Sequence, residues 1–117
     1  MQKRASGSKI IDVIVKAGES KKAYNPVVLD IRKQQNIFDY LVIMGGESTP
    51  QLKAIIEEVK SKVKDLRVAS VEGKIDSGWM ILDLGDIVVH VMSEEERAFY
   101  DLEGLWGKEA IVYHGGP

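Results

Sequence analysis

The first third of the chain carries two kinds of apolar spacing. Apolar residues between Ile10 and Ala17 fall on one face of a helix, which we expect to begin at Lys9 and to end between Gly18 and Ala23. Two runs rich in β-branched and aromatic residues follow, Val27–Ile31 and Phe38–Met44. Such runs are typical of strands, and their closeness in sequence predicts that they pair as a hairpin.

A glycine-containing turn and a second helix come next. The stretch Gly45–Pro50 combines two glycines with a proline suited to a first helical turn, and Ser48 with Gln51 fits a capping box. From Leu52 to Leu66, apolar residues recur at spacings of three, four and seven, which predicts an amphipathic helix. A helix cap explains this loop better than a phosphate cradle does, because Glu47 would repel an anion.

The second half of the chain predicts three more strands. The residue pattern predicts a short strand over Val68–Val71 and a loop over Glu72–Gly78. Trp79–Leu84 and Ile87–Met92 are two strands separated by Gly85-Asp86. Because that dipeptide suits a type II′ turn, these strands are predicted to form a tight hairpin.

One helix and an unassigned tail follow the hairpin. Ser93 with Glu96 fits another capping box, and the acidic run Glu94–Glu96 suits the positive end of a helix dipole. We expect this helical structure to run to about Leu102 and, after Gly104, into Leu105-Trp106. The pattern gives no assignment for residues 108–117.

The predicted elements follow the order αββαβββα. This order favours an α/β fold with a single mixed sheet of about five strands and helices mainly on one face. The 117 residues suit one core rather than two. We divide the chain into an N-terminal arm over residues 1–8, expected to be flexible, one domain over residues 9–107, and a tail over residues 108–117.

The Gly85-Asp86 turn fixes the pairing of the strands beside it, with Leu84 opposite Ile87 and alternate residues sharing a face. One face is wholly apolar and should lie against the helices: Met80, Leu82, Leu84, Ile87, Val89 and Val91. The other face is mixed: Trp79, Ile81, Asp83, Val88, His90 and Met92. Such a mixture is typical of a protein-binding surface, and equally of a face covered by a helix or by a second copy in a homodimer.

Composition excludes several kinds of site. The chain has no cysteine, which excludes disulfides, thiolate zinc sites, iron–sulfur clusters and a cysteine nucleophile. Its longest uncharged apolar run is too short to cross a membrane, so we expect a cytoplasmic protein. Residues 1–67 hold 13 basic and 8 acidic side chains, whereas residues 68–117 hold 3 basic and 10 acidic ones. The second part would therefore repel nucleic acid and suit a basic protein partner.

Few residues of the chain are candidates for a catalytic, metal-binding or RNA-binding site. Asp83, Asp86 and His90 could form a metal or acid–base site, but the turn separates Asp86 from the sheet face that holds the other two. His114 lacks partners for a zinc site, and no Gly-x-Ser-x-Gly motif occurs. The basic helix from Lys53 to Arg67 has no interleaved aromatic residues, which favours a solvated face over an RNA site. We therefore expect no cofactor and no metal.

Several short motifs occur in order along the chain: Phe38–Gly45, Ser48 with Gln51, Ala54-Ile55, Glu72-Gly73, Trp79, Asp83–His90, Arg97, Tyr100, Leu102-Glu103 and Leu105-Trp106. Together they resemble the ribosomal silencing factor (iojap-like) family, over roughly residues 8–107. The resemblance implies a fold similar to that of nucleotidyltransferases without their catalysis. The sequence agrees, because it has no Gly-Ser followed by an Asp-x-Asp pair.

The resemblance also implies a function, that of a translational repressor without enzymatic activity. Members of the family bind the large ribosomal subunit through ribosomal protein number fourteen of that subunit, at the face where the small subunit docks. They thereby block subunit joining when nutrients are scarce, and a role in large-subunit assembly is attributed to them. Little direct contact with nucleic acid is expected.

Seven residues of the hairpin and the following helix are candidate contacts: Trp79, Ile81, Asp83, His90, Arg97, Tyr100 and Glu103. Trp79 would be the buried anchor, and Tyr100 would supply area and a hydroxyl. Asp83 and Glu103 would pair with basic residues of the partner. For Arg97, an internal ion pair with Glu94, Asp101 or a neighbouring carboxylate is an equal alternative.

Two other classes of function remain open at this point. One is a nucleotidyltransferase-like enzyme that uses Asp83, Asp86 and a divalent metal. The other is an RNA-binding assembly factor that uses the basic helix from Lys53 to Arg67.

Overall fold

The described helices and strands follow one another in the order αββαβββααβ, with one 3-10 turn before the last strand. The computed structural model describes residues 7–34, 38–65, 70–73 and 78–114. Its elements are α1 (Gly7–Ser20), β1 (Tyr24–Asp30), β2 (Tyr40–Gly46), α2 (Thr49–Val63), β3 (Ser70–Glu72), β4 (Trp79–Asp83), β5 (Ile87–Ser93), α3 (Glu94–Tyr100), α4 (Leu102–Trp106), a 3-10 turn (Lys108–Ala110) and β6 (Ile111–His114).

The strands form one mixed sheet in the order β3-β4-β5-β2-β1-β6. β2 and β5 run parallel at its centre, and every other neighbouring pair is antiparallel. The prediction of a single mixed α/β sheet is confirmed, with six strands in place of about five. The predicted pairing of the first two strands is confirmed as well, since β1 and β2 are antiparallel neighbours.

α1 and α2 cover one face of this sheet. Ile10 and Ile14 of α1 and Ile55, Val59 and Val63 of α2 are fully buried. They pack with the apolar residues that the strands turn toward them, which are Val28, Val42, Met44, Met80, Leu82, Leu84, Ile87, Val89 and Val91. Among the described residues, no helix is long and apolar enough to span a membrane.

The opposite face of the sheet carries a second, smaller core. Leu29, Ile43 and Met92 are fully buried there, and Leu102 and Trp106 of α4 pack against them. The two long helices thus lie on one face, as predicted. The short C-terminal elements contribute cover to the other face.

Gln51 joins the end of α1 to the start of α2. The Ser48 hydroxyl accepts the N–H of Gln51 at 3.2 Å, which confirms the predicted helix cap. The Gln51 side-chain oxygen accepts the N–H of Glu47 at 2.6 Å, one residue away from the position that a standard capping box uses. Its amide group also donates to the carbonyl oxygens of Lys21 and Lys22, at 3.1 and 3.0 Å.

Two elements begin earlier than their apolar patterns predict. α1 begins at Gly7, two residues before the expected start, and β1 begins at Tyr24, three residues before it. The extra residues of β1 include Asn25, which has a positive φ of 48°, and the register with β2 shifts at this point. The bulge lets β1 accommodate the proline that follows Asn25.

Some predicted boundaries fall outside the described residues. These are the residues 1–6 of the N-terminal arm, the helix end at Leu66, the first two residues of the strand Val68–Val71 and most of the loop that follows it. What is described of that strand, β3, is short and exposed along its length.

The single helix predicted after β5 is wrong, because Asp101 divides it into α3 and α4. Asp101 has left-handed backbone angles, φ 44° and ψ 60°, and its N–H donates to the carbonyl oxygen of Arg97. Its side chain accepts the N–H of Gly104 at 3.2 Å and so caps α4. Aspartate tolerates this conformation, and its side chain satisfies a helix start. Apolar spacing gives no sign of such a break.

The tail contains an unpredicted strand, β6. It pairs antiparallel with β1, and Tyr113 lies opposite Val28. Just before it, Ala110 is 5% exposed and belongs to the second core. The tail therefore supplies one edge strand of the sheet.

Candidate protein-binding surface

The β4–β5 hairpin has the register that its turn sequence predicts. Ile81 lies opposite His90, and the Leu84 N–H donates to the Ile87 carbonyl oxygen at 2.9 Å. Gly85 has a φ of +92°, which a two-residue type II′ turn requires at its first position. The prediction of a tight hairpin is confirmed.

The two faces of the hairpin differ as predicted. Its apolar face lies wholly in the core against the two long helices. On the other face, Trp79, Ile81, Asp83 and His90 are partly buried, whereas Met92 is fully buried. The accessible part of this face therefore lies mainly along β4 and the adjoining part of β5.

Trp79 and His90 are diagonal neighbours joined by a hydrogen bond. The indole N–H donates to Nδ1 of the imidazole at 2.8 Å, and the ring centroids lie 5.7 Å apart. Because Nδ1 accepts this bond, the imidazole is neutral and carries its proton on Nε2. Burial lowers the pKa of His90 to about 4, which keeps it neutral at physiological pH.

Two further rings extend this pair onto α3. The centroid of Tyr100 lies 4.7 Å from that of Trp79 and 4.9 Å from that of Phe99. Exposure increases along this series: Trp79 is partly buried, Tyr100 is 48% exposed and Phe99 is 79% exposed. We call Phe99, Tyr100, Trp79 and His90 the aromatic row.

Arg97 and Glu103 bind each other across the break between α3 and α4. Nη2 of Arg97 lies 3.1 Å from a carboxylate oxygen of Glu103 and donates to the carbonyl oxygen of Asn25 at 2.7 Å. The Arg97 side chain is only 13% exposed. The internal ion pair considered for Arg97 is therefore present, and it engages the carboxylate of Glu103 that the sequence assigns to a partner.

Asp83 and Ile81 form the strand part of the candidate surface. Oδ1 of Asp83 accepts the N–H of Gly85 at 2.9 Å, so this carboxylate helps to hold the turn. Ile81 lies between Glu72 of β3 and His90 of β5 in the sheet. Both side chains are partly buried and border the aromatic row through His90.

The segment that carries the surface is strongly acidic. Residues 78–107 hold seven carboxylates and a single cation, Arg97, which is already paired. Tyr24 lies in the same region, and its pKa is raised by burial first and then by the charges of Glu94 and Glu47. A negative potential surrounds the aromatic row as a result.

The structure thus brings part of the predicted site together. Trp79, His90 and Tyr100 are in contact, and Arg97 pairs with Glu103. The sequence analysis missed Phe99, the most exposed aromatic side chain of the described residues. The helical pattern gave no signal for it, because an apolar residue of an amphipathic helix is expected to face the core.

A cavity of about 430 Å³ lies elsewhere, between α1 and strands β1 and β6. Val28 and Tyr113 line it, together with Asp30, which accepts two hydrogen bonds from the side chain of Arg32. The hydrogen bond from Arg32 lowers the pKa of Asp30. In residues 7–34, 38–65, 70–73 and 78–114, no three histidine or carboxylate side chains cluster in a way that could hold a metal ion.

Comparison with known proteins identifies the family. The family described as "Ribosomal silencing factor during starvation" matches residues 4–114. The chain belongs to this family. A ribosomal silencing factor of Halalkalibacterium halodurans is 36% identical over 109 residues, which cover 92% of this chain and 93% of the relative. The resemblance inferred from the motifs is confirmed.

A solved structure and an organellar relative extend the comparison. The crystal structure of a Chromobacterium violaceum protein superposes with a TM-score of 0.83 at 33% identity and covers 88% of each chain. A mouse protein named "Mitochondrial assembly of ribosomal large subunit protein 1" is 33% identical over 101 residues, which are 82% of this chain and 44% of the mouse protein. The silencing factor fold therefore accounts for nearly all of this chain.

Proposed function

We propose that this protein represses translation by binding the large ribosomal subunit and preventing the small subunit from joining it. The contact would be made with ribosomal protein number fourteen, a basic protein at the intersubunit face. Such a steric block needs binding energy and shape but no chemistry, so the protein would act without catalysis, cofactor or metal. We place its action in the cytoplasm and include support of large-subunit assembly in the proposal.

The observation that carries the proposal is the mixed surface of the hairpin and α3. Trp79, Ile81, Asp83, His90, Arg97, Tyr100 and Glu103 are the residues assigned to it. Aromatic side chains with a few oriented polar groups are typical of the centre of a protein interface. The seven carboxylates of residues 78–107 favour a basic protein over exposed ribosomal RNA.

The names of relatives support the same assignment. Two relatives, each 36% identical to this chain, are named ribosomal silencing factors. The mouse relative is named for assembly of the large ribosomal subunit. Both names refer to the ribosome, and they agree with a role in which the large subunit is the partner.

Sedimentation tests the binding step. The purified protein is mixed with separated large and small ribosomal subunits and run on sucrose gradients. It should migrate with the large subunit alone. Comigration with the small subunit, or with neither, would contradict the proposal.

Light scattering tests the blocking step. When magnesium is raised to join the two subunits, the scattering increase should diminish as the protein is added. A protein that binds large subunits and leaves joining unchanged would support an assembly role without repression.

Two further measurements address the other classes of function. Titration with a nucleoside triphosphate and magnesium should give no heat, whereas a nucleotidyltransferase using Asp83 and Asp86 would give heat. Binding through the lysines of α2 to RNA phosphates would weaken steeply with salt. Binding through an aromatic surface should depend on salt much less.

A further inference from the structure

Phe99 occupies an unusual position for a large apolar side chain. It is 79% exposed, and it belongs to neither apolar core. Its ring contacts that of Tyr100 edge to face, with an interplanar angle of 84°. A ring held in water contributes little to folding, so its position is better explained by an interaction outside the chain.

Trp79 differs from Phe99 in its burial and in its place beside the core. It packs on the second core, and Tyr100 and His90 lie against it. Its indole N–H is bound to His90. Little of Trp79 therefore remains for a partner, and its ring instead supports Tyr100 from behind.

The surroundings of Phe99 define the chemistry of what it would meet. Glu95 and Glu96 precede it by four and three residues on α3, so they lie on the same side of the helix. Glu95 is exposed. The only cation of residues 78–107, Arg97, is engaged with Glu103. Neither Glu95 nor Glu96 forms an ion pair with another of the described residues. An apolar ring beside such carboxylates fits an apolar recess bordered by lysine or arginine.

We propose that Phe99, not Trp79, is the principal apolar anchor of this surface, and that it inserts into an apolar recess bordered by basic side chains on a protein of the large subunit. Tyr100 contacts the same recess of the partner. Trp79 and His90 hold the ring of Tyr100 in place. The inference rests on the proposed function. A second copy of the chain is disfavoured as the occupant, because it would bring two acidic segments together.

Affinity measurements with purified large subunits test this assignment. The variant Phe99→Ala should bind about 30-fold more weakly than the parent, as expected for removal of a central apolar anchor. Phe99→Leu should lose less, because it keeps an apolar side chain. Val112→Ala is the matched control, because Val112 is 59% exposed on β6, at the far edge of the sheet. The affinity of this variant for large subunits should stay within about twofold of the parent's.

Thermal unfolding shows whether a variant loses affinity only because it has lost its fold. Phe99 and Val112 are both exposed, so neither alanine variant should change the unfolding midpoint appreciably. If the parent binds and Phe99→Ala binds equally well, the inference fails and the proposed function stands. If the parent does not bind large subunits, both fail. If Phe99→Ala disrupts a dimer in ultracentrifugation and leaves subunit affinity unchanged, a second copy occupies the surface and the inference is overturned.

Discussion

The indole N–H of Trp79 donates to Nδ1 of His90 at 2.8 Å, and this bond joins β4 to β5 through their side chains. The bond requires an imidazole that accepts at Nδ1. A protonated imidazole has donors on both nitrogens and cannot keep it. The geometry of the candidate surface therefore depends on a neutral His90.

The free energy of unfolding should fall in acid, because His90 is harder to protonate in the folded protein than in the unfolded chain. Its pKa is about 4 in the folded protein and 6.5 in the unfolded chain, so the unfolded chain binds the proton first as the pH falls. Above pH 6.5, His90 is neutral in both states and the free energy of unfolding is at its full value. Between pH 6.5 and about 4, the free energy of unfolding falls by about 1.4 kcal/mol per pH unit, or about 3 kcal/mol in total. Urea unfolding of the parent across this range measures it.

The variant His90→Asn is the control for that experiment. The asparagine oxygen can replace Nδ1 as an acceptor, but it does not titrate. The difference in unfolding free energy between parent and variant should therefore change with pH between 6.5 and 4. Parallel curves for the two proteins would contradict the role given to His90.

The variant His90→Leu tests whether the hydrogen bond between Trp79 and His90 supports the binding surface, apart from the effect of protonating His90. It removes the acceptor, so the indole N–H resonance of Trp79 should shift in NMR spectra, and affinity for large subunits should fall. His90→Asn should restore both. A variant with the shifted resonance and unchanged affinity would show that the bond does not serve the surface.

Trp79→Ala should cost stability as well as affinity. Removing the indole leaves a void beside the second core and withdraws support from Tyr100, so we expect a loss of about 3 kcal/mol in unfolding free energy. Affinity for large subunits, measured on folded protein, should also fall, but by less than for Phe99→Ala, because Trp79 acts through its support of Tyr100. Unfolding curves and gradient binding measure the two effects. A folded variant that cosediments like the parent would contradict the placement of the binding surface.

Arg97 and Glu103 should behave as a coupled pair. Arg97→Met removes the bonds to Glu103 and to the Asn25 carbonyl oxygen, and we expect a loss of about 2 kcal/mol. Glu103→Gln should cost about 1 kcal/mol, because it retains an acceptor. The double variant should lose less than the two single losses combined, as a double-mutant cycle in urea would reveal. Strict additivity would indicate that the two side chains do not interact in solution.

Ala110 tests whether the tail is part of the fold. Ala110→Asp would place an unpaired charge in the second core and should cost about 3 kcal/mol. Val112→Asp, two residues later on the exposed strand β6, should change the unfolding free energy by no more than about 0.5 kcal/mol. Equal effects of the two variants would show that residues near Ala110 do not pack as described.

The parts of the fold that follow from local rules could be predicted from the sequence. The β4–β5 register depends on a two-residue turn and on strict alternation, and both are visible in the chain. Helices α1 and α2 depend on apolar spacing, and the Ser48 cap depends on one hydroxyl. In each case, the residues that determine the structure are neighbours in sequence.

The parts that depend on distant partners or on a single backbone angle could not be predicted. β6 is a strand because β1 lies beside it, and β1 is remote in sequence. The division into α3 and α4 depends on the left-handed conformation of Asp101.

The Trp79–His90 bond is an intermediate case. The predicted register already made the two residues diagonal neighbours on one face. What the register did not contain was the direction of the indole N–H, which depends on side-chain rotamers. Both residues could therefore be assigned to a site, but their mutual role could not.

The parallel pairing of β2 with β5 has a consequence for the order of folding. The hairpin that carries the candidate surface is local, yet β5 completes its hydrogen bonds only against a strand from the first half of the chain. Contacts between such distant segments form slowly, because a long loop must close first. The surface should therefore reach its final shape only with the whole domain, and an isolated C-terminal half would not bind the partner. Once formed, it is preorganised, so little entropy is lost on binding and complexes should dissociate slowly.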